Sequence, residues 1–164
     1  MSKYYFDKKA AKKAIGFIET FVTHTKGELT GLPLKLEKWQ SKIVGDIFGW
    51  KNKETNLRKY RTVFIEVPRK NGKSTLCAAI GLYMLFADEE RGSEVYSAAG
   101  DRSQAGIVFE IAKGMLFQNQ ELSQRGKAYR NSIVNESKGN FYQAISSDSK
   151  TKHGFNANCI IFDE

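Results

Sequence analysis

Apolar and polar positions come in blocks along the 164 residues, and the period of each block predicts an element. In residues 7–24, Ala11, Ala14, Ile15, Ile18 and Val22 recur at helical spacing and Phe21 widens the stripe. This predicts an amphipathic helix that packs through one face. A loop with Lys26-Gly27-Glu28 and Thr30-Gly31-Leu32-Pro33 follows. Residues 36–49 predict a second helix with Trp39, Ile43, Val44, Ile47 and Phe48 inward. After a polar connection, Arg61 to Val67 reads as a buried β-strand. Leu76 to Phe86 is apolar on every side, which predicts a buried helix over 73–87. Residues 88–92 read as a turn and 93–99 as a second strand. Asp101 and Gln104 match a capping box opening a helix over 101–117. Residues 118–139 are polar and mixed, which fits a short helix plus a loop. Residues 141–146 and 158–162 predict two further strands.

Strands that alternate with helices of ten or more residues imply right-handed crossovers. The fold class expected is therefore α/β, a mostly parallel sheet with flanking helices. Ligands on such sheets bind at the carboxyl ends of the strands. Two stretches with candidate chemistry fall at such ends. The first is the tight basic loop Val67-Pro68-Arg69-Lys70-Asn71-Gly72-Lys73-Ser74-Thr75 between a strand and a helix. A helix N-terminus offers unpaired N–H groups and the positive end of the macrodipole, so an anion settles there. In a phosphate-binding loop the lysine, here Lys73, reaches the β- and γ-phosphates, and the hydroxyl, here Ser74, ligates Mg²⁺. The full pattern wants glycine at position 67, where this chain has Val67. The second stretch is Asn158 to Glu164, an apolar run ending in Asp163-Glu164. It has the form of a Walker B strand: a buried strand whose terminal Asp163 holds Mg²⁺ through water, followed by Glu164 to polarise the attacking water.

Charge and cysteines add limits. The net charge is +8, and it is uneven. Residues 1–75 carry 17 Lys and Arg against 7 Asp and Glu, while residues 76–164 carry 9 against 11. The basic half suggests an anionic partner, a nucleic acid among the candidates. Cys77 and Cys159 both sit in apolar runs and read as small core residues, without a disulfide framework or a metal site. No run approaches 18 apolar residues and the N-terminus lacks a signal-peptide core, so a soluble intracellular protein with no membrane partner is expected.

Six stretches, in this order, resemble the N-terminal ATPase region of the large terminase subunit of tailed bacteriophages. They are Tyr5-Phe6-Asp7; His24-Thr25-Lys26-Gly27 leading to Leu34-x-Leu36-x-x-Trp39-Gln40; Phe48-Gly49-Trp50; Val67 to Ser74; Ala98 to Ala105; and Phe162-Asp163-Glu164. The resemblance covers essentially the whole chain. It implies a P-loop NTPase of the RecA-like, additional-strand catalytic-glutamate type, incomplete at its C-terminus. Residues 1–60 would form an N-terminal helical segment with an adenine-side motif, and residues 61–164 a partial ATPase core. Phosphate loops of this family often lack the first glycine and carry a basic residue inside the loop. The resemblance therefore implies that Arg69 joins Lys73 at the phosphates, since a guanidinium matches the charge spread over γ-phosphate oxygens. Lys70, Asn71, Gly72 and Thr75 complete the nucleotide loop, and Gln40 would read the adenine edge through its donor and acceptor pair. Ser74 and Asp163 would hold the metal, and Glu164 and Arg69 would act in catalysis, with ATP and Mg²⁺ as substrate and cofactor.

The resemblance further implies a DNA-packaging motor in the host cytoplasm, transiently at the capsid portal. Its partners would be double-stranded DNA, the portal protein, the small terminase subunit and further copies in a ring. Ring motors insert a cation into a neighbour's site, for which Lys152, Arg102, Arg125 and Arg130 compete. His24 and His153 read as structural. Family members normally continue with further strands and a metal-dependent nuclease domain. No acidic cluster suited to two-metal cutting is visible in these 164 residues, so no nuclease activity is expected of them. Two alternatives stay open from sequence: another P-loop or helicase-like ATPase acting on nucleic acid, and an inactive fragment that binds DNA or capsid components.

Overall fold

The computed structural model describes residues 2–99, 102–146 and 156–163, without the side chains of 102–105 and 146. A short strand, β1 (Tyr4–Phe6), leads into helix α1 (Lys8–Phe21). The Asp7 carboxylate caps α1 by accepting from the Lys9 and Ala10 amides at 3.0 Å each. Helix α2 (Lys38–Gly49) runs directly into strand β2 (Trp50–Asn52), which pairs antiparallel with β1. Helix α3 (Lys73–Phe86) follows, then strand β3 (Glu94–Ala99), helix α4 (Arg102–Gln118) and the short α5 (Gln120–Arg125). Strands β4 (Lys127–Ala128), β5 (Ser132–Asn135), β6 (Asn140–Ser146) and β7 (Ala157–Phe162) complete the described chain.

The main sheet has the order β4-β5-β6-β3-β7. β3 lies parallel to β6 on one side and to β7 on the other, while β4, β5 and β6 pair antiparallel. The sheet is thus parallel where the candidate site lies and antiparallel at its far edge. Over 118–139 the expected short helix is α5, while the loop expected beside it is instead this antiparallel flap. Ser132 to Asn135 alternates half-buried and buried positions over only four residues, a run too short to signal a strand against its polar flanks.

The expected buried strand over 61–67 does not form. These residues pair with no described strand, and Phe64 is 87% and Val63 44% exposed. The reason is the ladder. An extended apolar run becomes a strand only against an edge that satisfies its N–H and C=O groups, and none of the described strands is hydrogen-bonded to it. β7 is likewise only partly buried. It is the outer strand of the sheet, Ile161 alone joins the fully buried core, and Phe162 is 74% exposed.

α3 is the axis of the core. Leu76, Ala78, Ala79, Leu82, Tyr83, Met84, Leu85 and Phe86 are all buried, each large one contributing ~1.5–3 kcal/mol by leaving water. One hydrophobic cluster runs from Ala14, Ile18 and Val22 of the N-terminal segment through Val44 and Phe48 to α3, α4 and the sheet. Gly81 lets α3 approach closely: a Cβ there would lie 2.9 Å from the Tyr142 ring and 3.3 Å from Ile161. The Tyr142 and Ser97 hydroxyls meet at 2.5 Å beneath it.

A buried amide locks the far end of α3 to the sheet. Asn140 donates to the carbonyls of Leu85 (3.1 Å) and Glu90 (3.2 Å) and accepts from the Ser93 amide (2.9 Å). Asn140→Ala is expected to remove three hydrogen bonds to backbone groups, two of them buried, and cost about 1–3 kcal/mol, read as a lower urea midpoint with an unchanged slope. A second expectation concerns alkaline pH. Burial pushes the Cys77 and Cys159 thiols up to about 11. Between pH 9 and 11 the unfolded chain releases these protons and the folded chain keeps them, so stability falls as pH rises. Guanidinium midpoints across this range should fall less steeply once both are replaced by Ala; an equal slope would rule the thiols out as the cause.

Candidate functional site

The loop at 67–75 and the end of β7 meet although nearly ninety residues separate them. β7 lies beside β3, α3 packs across both, and the first residues of α3 therefore stand over the last residues of β7. There the Asp163 carboxylate serves two partners. Its Oδ2 accepts from the Ser74 hydroxyl at 2.6 Å, and its Oδ1 lies 3.3 Å from the Lys73 ammonium. Asp163 is 9% exposed, and its Oδ1 has the ion contact with Lys73 but no aligned hydrogen bond.

The loop itself is shaped by two left-handed residues. Lys70 has φ +67° and Gly72, the N-cap of α3, has φ +74°. Glycine takes that conformation without the Cβ clash that Lys70 must bear. The Asn71 amide donates to the carbonyls of Pro68 (3.0 Å) and Arg69 (3.3 Å), turning loop acceptors away from the concavity. Val67, Pro68, Arg69, Lys70, Gly72, Lys73, Ser74 and Thr75 line a cavity of about 290 Å³. Successive amides at a helix N-terminus make a concavity suited to an anion. Arg69 and Lys70 are solvent-exposed on its rim.

Gln40 comes to the same place from α2. It is 8% exposed, and its Oε1 accepts from the Glu37 amide at 2.9 Å, so its carbonyl is committed to the start of α2. Its amide nitrogen faces the loop, 3.7 Å from where a Cβ on Gly72 would stand. Trp39, one residue earlier, is half-buried and packs against the core. The capping role of Gln40 was legible as Glu37-x-x-Gln40 ahead of an apolar run.

Cys77 and Cys159 sit behind the site on α3 and β7. Burial, with the Asp163 charge second for Cys77, keeps both thiols protonated at neutral pH. They offer neither thiolate nucleophiles nor soft metal ligands. Hard oxygen donors are present instead: Ser74 Oγ and Asp163, whose Oδ1 has capacity left to accept. Mg²⁺ takes few protein ligands and keeps waters and substrate phosphates, so this pair fits it. Among the described residues no group of three or more His, Cys, Asp or Glu could hold a metal.

The residues expected to reach a neighbouring copy's site, and others, stand away from this loop or outside the described residues. Arg125 lies at the opposite end of α3, lining a cavity with Phe86 and Ala87, and pairs with Glu121 at 3.7 Å. That is about 20 Å from Lys73 at 1.5 Å of rise per residue. Arg130 is exposed beyond β4. Glu164, Lys152 and His153 lie outside the described residues, as do Asp101 and the side chains of Arg102 and Gln104.

Known proteins resemble the chain over most of its length. Residues 38–164 match the family model described as terminase large subunit, ATPase domain. The large terminase subunit of Enterobacteria phage HK97 is 30% identical over 160 residues, covering 93% of this chain and 30% of that protein. The crystal structure of the HK97 large terminase superimposes with a TM-score of 0.77 at 25% identity, over 94% of this chain and 31% of that one. The chain thus spans about a third of the length of these relatives.

The clamp at Asp163 should be measurable without any ligand. Asp163→Ala removes one partner from the Ser74 hydroxyl and one from the Lys73 ammonium and is expected to cost about 1–2 kcal/mol; Asp163→Asn, which can still meet Ser74, should cost about half that. Chemical denaturation of both variants checks the order, which would be reversed or absent if Asp163 were merely a solvated strand end.

Proposed function

The chain belongs to the family of terminase large-subunit ATPase domains, and from that premise we propose that it binds ATP with Mg²⁺ in the 67–75 loop and serves a DNA-packaging motor. The observation that carries the reading is the meeting of Lys73, Ser74 and Asp163 at one carboxylate, where a phosphate loop closes on a Walker B aspartate. In the free protein Asp163 neutralises Lys73. A triphosphate entering the cavity competes for that ammonium, so Lys73 moves from a carboxylate to a phosphate partner without ever being left unpaired. The loop amides from Gly72 onward and the exposed Arg69 add donors around the transferring group, and Lys70 stands on the same rim. Ser74 and Asp163 are the residues that would hold Mg²⁺, which when bound neutralises phosphate charge as the bond to the leaving group breaks. Gln40 would reach the base through its amide nitrogen, a reading supported by that nitrogen facing Gly72 while the carbonyl holds the start of α2. Glu164 follows Asp163 directly, and its role in orienting the attacking water rests on that sequence position.

The larger assignment follows the same premise. The motor would act on double-stranded DNA with the portal protein, the small subunit and further copies of itself in a ring, in the host cytoplasm and at the capsid portal. No described helix is long and apolar enough to cross a membrane. Titration calorimetry with Mg²⁺-ATP tests the site. Lys73→Ala is expected to weaken binding at least tenfold, about 1.4 kcal/mol or more. Ser74→Ala should remove most of the Mg²⁺ dependence and leave Mg²⁺-free binding nearly intact. Unchanged binding in Lys73→Ala would overturn the loop assignment.

A further inference from the structure

We propose that the groove between α1 and α5, at the opposite end of α3 from the phosphate loop, docks an acidic amphipathic helix of a partner protein. The proposal goes beyond the nucleotide reading and does not rest on it. The groove is a cavity of about 500 Å³. Lys13, Gly16 and Thr20 of α1 line one side, and Glu121 and Arg125 of α5 the other. Its base is apolar: Phe17, Phe86 and Leu122 line it and are buried, and the half-buried Phe21 stacks against Phe17 with ring centres 5.3 Å apart.

Two features of α1 cost stability, and both meet this groove. Gly16 stands in mid-helix, where glycine is less stable than alanine. Such a glycine commonly makes room for a packed neighbour, as Gly81 does for Tyr142. A Cβ on Gly16 would meet nothing within 4 Å among the described residues, so the room it makes is open to the groove. Lys9 stands in the first turn, where the helix dipole disfavours a cation, and no acid lies in that turn. Lys9 is one turn from Lys13, so the two belong to the row that leads on to Gly16 and Thr20. Local rules broken with no gain inside the chain mark a surface kept for another purpose.

Charge and shape together select the occupant. Lys13, Arg125 and Lys138 line the groove and Lys9 extends it, against Glu121 and the neighbouring Glu89. Arg125 meets Glu121 only at 3.7 Å, and the Lys138 ammonium donates to the Asp88 carbonyl at 2.9 Å, an uncharged acceptor that leaves its charge in place. The rim already draws a carboxylate of the chain itself. Glu89, 90% exposed, reaches Lys13 at 3.2 Å, and that hydrogen bond and the Lys13 charge hold its carboxyl below the ordinary range, with Lys51 and Lys138 adding to them. A phosphate backbone would bring anions but no apolar group for the Phe17, Phe86 and Leu122 base. An acidic amphipathic helix brings both. Its apolar stripe enters between α1 and α5, the gap at Gly16 lets its backbone come close, and its carboxylates meet the lysines. The Lys9–Thr20 row is about 17 Å long at 1.5 Å per residue, which matches about three turns of a docked helix.

The probe is a labelled peptide of about 18 residues, long enough to cover that row, with leucines and one tryptophan at helical spacing and glutamates between them. Its binding to the 164-residue chain is followed by fluorescence anisotropy over a salt series. It should bind saturably and more weakly as salt rises. Gly16→Gln, whose Cβ enters open space, is expected to weaken binding roughly tenfold while raising the melting temperature by about 2–4 °C, because glutamine forms helix better than glycine. A loss of binding in a more stable protein separates docking from folding. Lys9→Gln/Lys13→Gln should weaken binding severalfold and flatten its salt dependence, and Lys9→Arg/Lys13→Arg should keep most of both. A peptide of the same composition with its apolar stripe scrambled should bind far less well. The inference is overturned if the peptide does not bind, if Gly16→Gln binds it as the wild type does, or if the scrambled peptide binds equally. It is also overturned if a DNA duplex displaces the peptide as well as unlabelled peptide does, since that would mark a nucleic-acid surface.

Discussion

A single carboxylate holds the functional end of this molecule together. Asp163 ends the outer strand of the sheet, and Lys73 and Ser74 open the helix packed across it. Burying a carboxylate is costly unless it finds a cation and a donor, and Asp163 finds both on α3. The contact therefore works in two ways. It ties the loop to the sheet, and it holds the lysine and the hydroxyl together at the start of α3.

That contact depends on how α3 is seated. The helix is apolar around most of its circumference because it is covered by α1, α4 and the sheet at once. Its far end is pinned by Asn140, and its middle presses Gly81 against Tyr142 and Ile161. A helix anchored at its C-terminal end and along its length presents its N-terminus at a defined height over β7. The left-handed Gly72 then turns the incoming loop over that end, with Gln40 of α2 behind it. The candidate loop at 67–75 begins where the 61–67 segment ends, and that segment has no ladder bonds to the described strands. A segment of that kind moves more easily than a paired strand, because no row of hydrogen bonds must break first.

Much of this was legible in the sequence, for identifiable reasons. α1, α2, α3 and β3 each carry enough periodic apolar residues to declare themselves, and the glycine, lysine and serine of the loop follow from what a phosphate needs. β4 and β5 were not legible, because two and four residues are too few to show a period. The segment 61–67 was misread for the opposite reason. Its composition is that of a strand, but strand formation is a property of two chains of backbone groups, and composition describes only one of them.

Residue by residue, then, the sequence by itself determined the helices, the loop chemistry and the acid that ends β7, since each depends on neighbours within a few positions. Only the tertiary structure decided which of these residues touch. It brought Asp163 to Lys73 and Ser74, turned Gln40 toward Gly72, sent Arg125 to the other end of α3, and caged Lys59 between Tyr4, Trp50 and Tyr60. Contacts between residues far apart in the chain are set by the order of strands and the seating of helices. Those are fixed by burying one shared core, which no local stretch encodes alone.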